Sequence, residues 1–447
     1  MSNKHNTTPL LKLDMASRED VEMVEPLLTT EEKNHHHHWE RGEKLRWTVL
    51  FVFGSMVVYA VRVAMSISAP AIGKDLGWNK QISGMALSAF FCGYVLTNVL
   101  GGYISDRIGG PFVIFYTSFG WALLTLMLPY FAHTESIIHS GTIAVLLVRF
   151  LTGVCQGVFF PSLTSIITKH VAVAERGSIL GLVNSGTAIG TTATGFFGSM
   201  IVEQTKWEYL FMLVGVLGLL WIISLRYVIS LSAKDVYASS TEEKIKEPVP
   251  WLKLAGRAPF WALLIAYFLN TYCFFNLLSW APLYFHDSFP ESKGWVFNVV
   301  PWLVNFAFSV LTGYLGDSLI RRGLSTTFVR KLFAAVMFLG TVAFSLLLNT
   351  VETFKQGLFV MSLNIGVLAL GSCSMTINPT DLAPKHAGAL HGLINSAGAF
   401  VGFIGIYVTG YILETTGKWS SVFNVTAMAS MIGGVAFQLF GSGERIV

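Results

Sequence analysis

Seven residues recur in the same order 211 positions apart. Gly102, Asp106, Gly177, Gly181, Leu182, Asn184 and Ser185 return as Gly313, Asp317, Gly388, Gly392, Leu393, Asn395 and Ser396. The lag stays constant from the second apolar segment of each half to the fifth. That constancy marks a duplicated unit of about 200 residues, and long internal repeats in apolar chains build paired bundles around a shared site. Two bundles that rock about such a site are expected to move a solute.

The repeat lies in a chain that needs lipid. Of 447 residues 53% are hydrophobic and only 13% charged, which is too apolar for a water-soluble core. Scanning for apolar runs of about 20 residues gives spans at 48–71, 82–103, 111–132, 142–168, 177–202, 208–231, 259–285, 296–316, 330–349, 356–378, 388–412 and 420–440. The expected fold is an all-α membrane protein of twelve transmembrane helices in two pseudo-symmetric six-helix bundles, 48–231 and 258–440. Between them 232–257 reads as a cytoplasmic linker, carrying Lys234, Lys244, Lys246, Lys253 and the breaker Pro248-Val249-Pro250. Residues 1–47 read as a disordered cytoplasmic tail and 441–447 as a short C-terminal one.

Charge placement sets the orientation. Of the 30 Lys and Arg residues, 22 fall in the termini and even-numbered loops with the span ends beside them, 6 in odd-numbered loops and 2 inside spans. By the positive-inside rule both termini are cytoplasmic. The net charge of +4 is thus a topology signal and implies no nucleic-acid partner. The polar N-terminal stretch has no secretory signal pattern, so the first span is expected to act as an uncleaved insertion signal. Glu22-Met-Val-Glu25-Pro-Leu27-Leu28 resembles an acidic dileucine sorting signal, a hint of vesicular routing. The His35–His38 run reads as incidental, Cys92, Cys155, Cys273 and Cys373 all lie within spans, and neither a disulfide framework nor a metal cluster is legible. Asn6-Thr-Thr8 and Asn424-Val-Thr426 match the glycosylation pattern, but one is cytoplasmic and the other is in a span, so no N-linked glycan is expected.

A cation inside a bilayer costs at least a few kcal/mol on insertion scales, so intramembrane charges usually face a cavity. Two stand out: Arg62 in mid-span one and Arg149 two turns into span four, in spans that hold no Asp or Glu. Unpaired guanidinium groups in a wet cleft make an anion site, because each planar fork grips a carboxylate or phosphate bidentately. The bland alternative, bonding to carbonyls or snorkelling, suits Arg149 near its span end better than the central Arg62. Gln156 follows Arg149 by seven residues, two helical turns, and faces the same way. Further candidates are the amides Asn184, Asn270, Asn276, Asn364 and Asn395, which alternatively cross-link helices. The aromatics Phe91, Tyr94, Phe160, Tyr272, Phe275 and Trp280 are candidates for stacking on a planar ring, or else pack against helices and lipid. Gly153-Val-Cys-Gln-Gly157 and Gly186-Thr-Ala-Ile-Gly190 read as packing ladders. Asp106 with Arg107, and Asp317 with Arg321 and Arg322, fall in short cytoplasmic loops after spans two and eight, where they read as a charged gate or as ordinary loop charges.

Gly102-Tyr-Ile-Ser-Asp106-Arg107-Ile-Gly109-Gly110, echoed by Gly313-Tyr-Leu-Gly-Asp317, resembles the loop signature of the major facilitator superfamily. Arg149-Phe-Leu-Thr-Gly153-Val-Cys-Gln156-Gly157-Val-Phe-Phe-Pro161 further resembles span four of its organic-anion branch, which includes vesicular glutamate, sialate and nucleotide transporters and phosphate transporters. The likeness covers roughly residues 45 to 440. Leu278-Ser-Trp280-Ala-Pro282 and the stretch from Phe289 to Trp302 look closest to the nucleotide-carrying members of that branch. The resemblance implies that Arg62 and Arg149 are cavity residues. It also marks departures. Gln156 stands where many relatives have a glutamate, and Leu87 and Asn270 stand where the glutamate carriers have histidine and arginine. Carboxylate-linked proton coupling and glutamate as cargo are therefore disfavoured.

The expected function is alternating-access transport of organic anions, foremost membrane-potential-driven uptake of ATP or ADP from cytosol into secretory or lysosomal vesicles. The alternatives are a proton-coupled carboxylate or phosphate carrier and, more remotely, a non-transporting membrane sensor. No enzyme constellation is readable. No cofactor is expected, chloride being a candidate activating ion, and the chain is expected to act as a monomer.

Overall fold

The computed structural model describes residues 39–133, 141–171, 173–231, 249–291 and 293–447; within these, a few side chains, among them those of Asp106 and Asp317, lie outside the description. The chain is helical almost throughout. Span one is α1 (Arg41–Leu76), span two α2 (Lys80–Ile108) and span three α3 (Gly110–Ala132). Span four is α4 (Gly141–Gly157) continued by α5 (Phe159–His170), and span five is α6 (Val173–Ala193), a π turn at Thr194–Gly198 and α7 (Ser199–Gln204). Span six is α8 (Trp207–Leu231). After the short α9 (Trp251–Ala255) come span seven, α10 (Ala258–Ser288), span eight, α11 (Gly294–Arg321), and span nine, α12 (Thr326–Leu347). Span ten is α13 (Phe354–Leu368), a π turn at Ser372–Thr376 and α14 (Asn378–Leu382); spans eleven and twelve are α15 (Ala387–Thr416) and α16 (Trp419–Phe440).

Ten of these rods are long and apolar enough to cross a membrane. Spans two and five complete the twelve and carry more glycine, serine and charge, as befits helices that pack against other helices more than against lipid. Large apolar side chains on the outer faces, such as Leu220, Ile223, Leu339 and Leu439, are exposed, which suits a hydrocarbon surround.

Close helix contact depends on absent side chains. A Cβ on Gly153 would collide with the Phe90 carbonyl, one on Gly93 with the Phe150 carbonyl and one on Gly157 with Thr97, so spans two and four touch backbone to backbone. Gly186 and Gly190 press on the carbonyls of Val52 and Met56, bringing span five onto span one in the same way. The two sequence ladders are thus contact surfaces, the packing mode expected where lipid supplies no hydrophobic drive.

The halves meet at one end only, as far as described polar contacts go. Lys80 Nζ reaches Asp287 Oδ2 at 2.5 Å, the Lys80 amide donates to Glu414, Gln81 donates to Tyr407, Asn298 donates to Ser199, and the Gly294 amide donates to Glu203. Phe91 packs against Phe275 across the same seam, the rings tilted by 58° with centroids 4.6 Å apart. At the opposite end Gly181, Gly313, Gly388 and Gly392 have open space where a side chain would be. The cleft is therefore shut beside the odd-numbered loops and open beside the ends of spans two and eight.

Two sequence expectations need correcting. The N-terminal tail stops short of residue 47: the helix begins at Arg41, and Trp39 and Trp47 are buried in a stack with His170, centroids 5.1 and 5.0 Å apart. Indole stacking outweighs the charge of Arg41, Glu43 and Lys44; Arg41 is exposed and Lys44 pairs with Glu175 at 2.7 Å. Asp106, Arg107, Asp317 and Arg321 are in the last turns of long helices and not in loops, with Arg322 as the cap of α11. The C-terminal tail is docked: the amides of Ile446 and Val447 donate to the Leu382 carbonyl. The dileucine-like stretch, His35–His38, Asn6 and linker residues 232–248 lie outside the described residues.

A third buried arginine went unseen in the sequence because it reads as a span edge. Arg330 at the start of span nine makes a two-pronged pair with Asp381 of span ten, at 2.8 and 3.2 Å, and donates to the Cys373 carbonyl at 2.9 Å. With side chains 7% and 14% exposed, the pair is a buried tie within the second half. Removing one partner of such a pair costs about 3–5 kcal/mol, whereas replacing both by apolar groups often costs little. Asp381→Asn is expected to lower the unfolding temperature of the purified protein by several degrees, and Arg330→Met with Asp381→Leu is expected to recover most of it.

Candidate functional site

The deepest charges of the first half converge on one phenyl ring. Arg62 is 6% exposed and Arg149 is 2% exposed, on spans one and four. The Phe90 ring of span two lies between them, its centroid 5.1 Å from the Arg62 guanidinium carbon and 5.0 Å from that of Arg149. The backbone contact of Gly153 with Phe90 puts that ring beside Arg149. Arg62 also stands over Tyr59 and Tyr94, each 4.7 Å away. Such ring faces attract a desolvated cation by roughly 0.5–2 kcal/mol each and hold it without neutralising it.

Gln156 closes the cluster. It is fully buried, and its Oε1 accepts a long hydrogen bond of 3.4 Å from Arg62 Nε. Among the described residues no carboxylate lies within ion-pairing distance of either guanidinium. What remains unbonded is uniform in kind: Arg62 Nη2, Arg149 Nε and Gln156 Nε2 are all buried N–H donors. A buried donor without an acceptor costs about 1–3 kcal/mol, and more when charged. An incoming group rich in acceptors and negative charge cancels all three penalties together.

The other candidates divide by location. Tyr94 is in the cluster, and Phe160 adjoins it through Tyr59, edge to face at 6.4 Å. Phe91 is on the neighbouring face of span two, in the seam with Phe275 and Gly402. Asn276 donates to Thr426 at 3.4 Å and Asn364 to Ser345 at 3.1 Å, so both tie helices inside the second half. Asn270 lies against Gly371, and Tyr272 against Gly405. Trp280 donates to the Ile406 carbonyl at 3.3 Å near the closed end. Asn184 is exposed and Asn395 partly so, both away from the arginine cluster in described contacts. Of the gate candidates, Arg107, Arg321 and Arg322 are exposed at the open end, whereas the side chains of Asp106 and Asp317 lie outside the description. Tyr59 and Phe90 were not singled out in the sequence. For Tyr59 the available signal was its place one turn before Arg62.

The profile of the Major Facilitator Superfamily matches residues 51–406. The chain belongs to this superfamily. It is 39% identical over 416 residues to the "Voltage-gated purine nucleotide uniporter SLC17A9" of Rattus norvegicus, covering 91% of this chain and 92% of that one. It is 32% identical over 438 residues to "Probable anion transporter 4, chloroplastic" of Oryza sativa subsp. japonica, covering 95% of this chain and 73% of that one. Among solved structures, the D-xylose-proton symporter superposes with a TM-score of 0.71 at 13% identity, over 90% of this chain and 99% of that one. The fold is thus the twelve-helix facilitator fold, and the chain is a multi-pass membrane transporter and not an enzyme.

Two substitutions separate charge from packing. Arg149→Ala is expected to abolish uptake at near-normal protein abundance, because the remaining guanidinium cannot grip alone. Phe90→Leu keeps both charges but removes the ring they share, and uptake is expected to fall roughly tenfold, the equivalent of about 1.4 kcal/mol of cation–π attraction. Vesicle uptake normalised to surface-labelled protein measures both.

Proposed function

We propose that this transporter carries nucleotide anions, ATP and ADP, from the cytosol into the lumen of secretory or lysosomal vesicles, driven by a lumen-positive membrane potential. The observation that carries the reading is the set of orphaned donors on two cations without a counter-charge. A polyphosphate offers many acceptor oxygens and several negative charges in one chain. Its phosphates are proposed to accept from Arg62, Arg149 and Gln156, while Tyr59, Phe90 and Tyr94 supply ring faces. The rat uniporter's name, which couples purine nucleotides with voltage, supports the same cargo and the same drive.

Among the described residues the site has no acid to carry a proton. Gln156 occupies the buried position beside Arg62, and an amide does not titrate. Voltage alone supplies the gradient. Each charge crossing 100 mV gains about 2.3 kcal/mol, so an anion of three to four charges gains roughly 7–9 kcal/mol. The open end of the cleft adjoins the even-numbered loops, whose excess of basic residues supports a cytosolic location shared with both termini; on that orientation the described state is the one that loads cargo. Closure there brings Arg107, Arg321, Arg322, Asp106 and Asp317 of the two halves toward each other as a charged gate.

The rice relative, a probable anion transporter, favours a second reading: a smaller carboxylate or phosphate moved with a proton. Purified protein in liposomes separates the two. Labelled ATP is expected to accumulate when an inside-positive potential is imposed, in proportion to its size, with no uptake from a pH jump at zero potential. Uptake that ignores the potential and follows the pH jump contradicts the proposal and supports the second reading.

A further inference from the structure

Far from the arginine cluster, at the closed end of the first half, three metal-ligand side chains converge. Asp75 ends span one, His133 caps span three and Glu208 opens span six. They stand 58 and 75 residues apart in sequence, so no spacing motif announces them. Their ligand atoms all lie within 4.8 Å of one another. His133 Nε2 is 3.4 Å from Glu208 Oε1 and 3.8 Å from Asp75 Oδ2.

Those separations have a meaning beyond ion pairing. Donors bound to a tetrahedral zinc ion at about 2.0–2.1 Å stand roughly 3.4 Å apart, so His133 and Glu208 already match one edge of that polyhedron, and Asp75, at 3.8 Å, needs only a small inward shift to complete a second. Three further observations point the same way. Glu208 Oε2 is buried without a hydrogen-bond partner. The Trp207 indole donates to Asp75 Oδ2 at 3.1 Å, the kind of outer hydrogen bond that orients a ligating carboxylate. A cavity of about 450 Å³, lined by His133, Glu208, Lys206, Tyr130, Tyr209, Pro129 and Met212, adjoins the cluster and leaves room for water at the fourth position.

We propose that Asp75, His133 and Glu208 form a divalent-cation site, with zinc the best fit to one imidazole and two carboxylates. Under the orientation set by the basic residues, the site faces the lumen or exterior and is separate from the cargo cleft. A bound ion ties the outer end of span one, the helix that carries Arg62, to spans three and six. It therefore stiffens the first half without bridging the two halves.

The test is calorimetric titration of zinc into the full-length protein in detergent. His35, His36, His37 and His38 are changed to alanine in every sample, so that zinc taken up by this run does not enter the titration. The expected result is one ion per chain in the parent, a higher unfolding temperature with zinc, and affinity at least tenfold weaker in Glu208→Gln and in Asp75→Asn. His133→Ala is expected to bind none. Should that variant fail to fold, the two isosteric carboxamide variants carry the measurement, and their zinc-free ATP uptake is expected to equal the parent's. A parent that binds no zinc, or one whose affinity is unchanged in both Glu208→Gln and Asp75→Asn, overturns the site.

Discussion

Keeping two guanidinium groups inside a bilayer, with no counter-charge among the described residues, is the constraint from which the rest of this transporter follows. The cost is tolerated because the groups face a protected cleft and lie on ring faces that soften the desolvation. It persists because the surrounding helices cannot relax around it. Gly93, Gly153 and Gly157 lock span two to span four, and Gly186 and Gly190 lock span five to span one. The result is a rigid positive cluster, and on the proposed reading its free energy falls when an anion enters, so that affinity and charge selectivity have one origin.

The scaffold is symmetric and the site is not. Positions 211 residues after Arg62 and Arg149 are Cys273 and Val360, so the second half contributes no matching charge. Its own buried arginine, Arg330, is neutralised by Asp381 and serves the fold. Duplication thus supplied two rocking bodies, and the charged grip belongs to one of them. The repeat's shared glycines serve motion more than binding. Gly181, Gly388 and Gly392 border open space at the end beside the even-numbered loops, while the described polar ties between the halves cluster at the other end. Small residues that leave room in one state allow the halves to approach in the next.

Much of this was legible in the sequence, for physical reasons. An arginine in an apolar run is conspicuous because the bilayer makes it expensive, and a glutamine two turns after one must share its face. Helix boundaries followed hydropathy closely except at Arg41, where indole stacking extends span one beyond the lipid-like stretch. The aromatic walls were not legible. Phe90 and Phe91 both fall one turn before Tyr94, at four and three residues, so helical phase alone does not choose between them, and with 34 phenylalanines in the chain identity is no guide. The choice is made by Gly153, which turns the Phe90 face of span two toward span four. The Arg330–Asp381 tie was hidden because Arg330 lies at a span edge, where an arginine ordinarily snorkels to water. The Asp75, His133 and Glu208 cluster was hidden because its members come together only through the packing of three helices.

The central claim is that Arg62 and Arg149 receive the negative end of the cargo together. A structure of the protein determined with ATP bound tests it most directly. Phosphate oxygens within hydrogen-bonding distance of Arg62 Nη2, Arg149 Nε and Gln156 Nε2 are the predicted result. ATP bound elsewhere in the cleft, with those three donors still unmet or turned to a carboxylate, would contradict it.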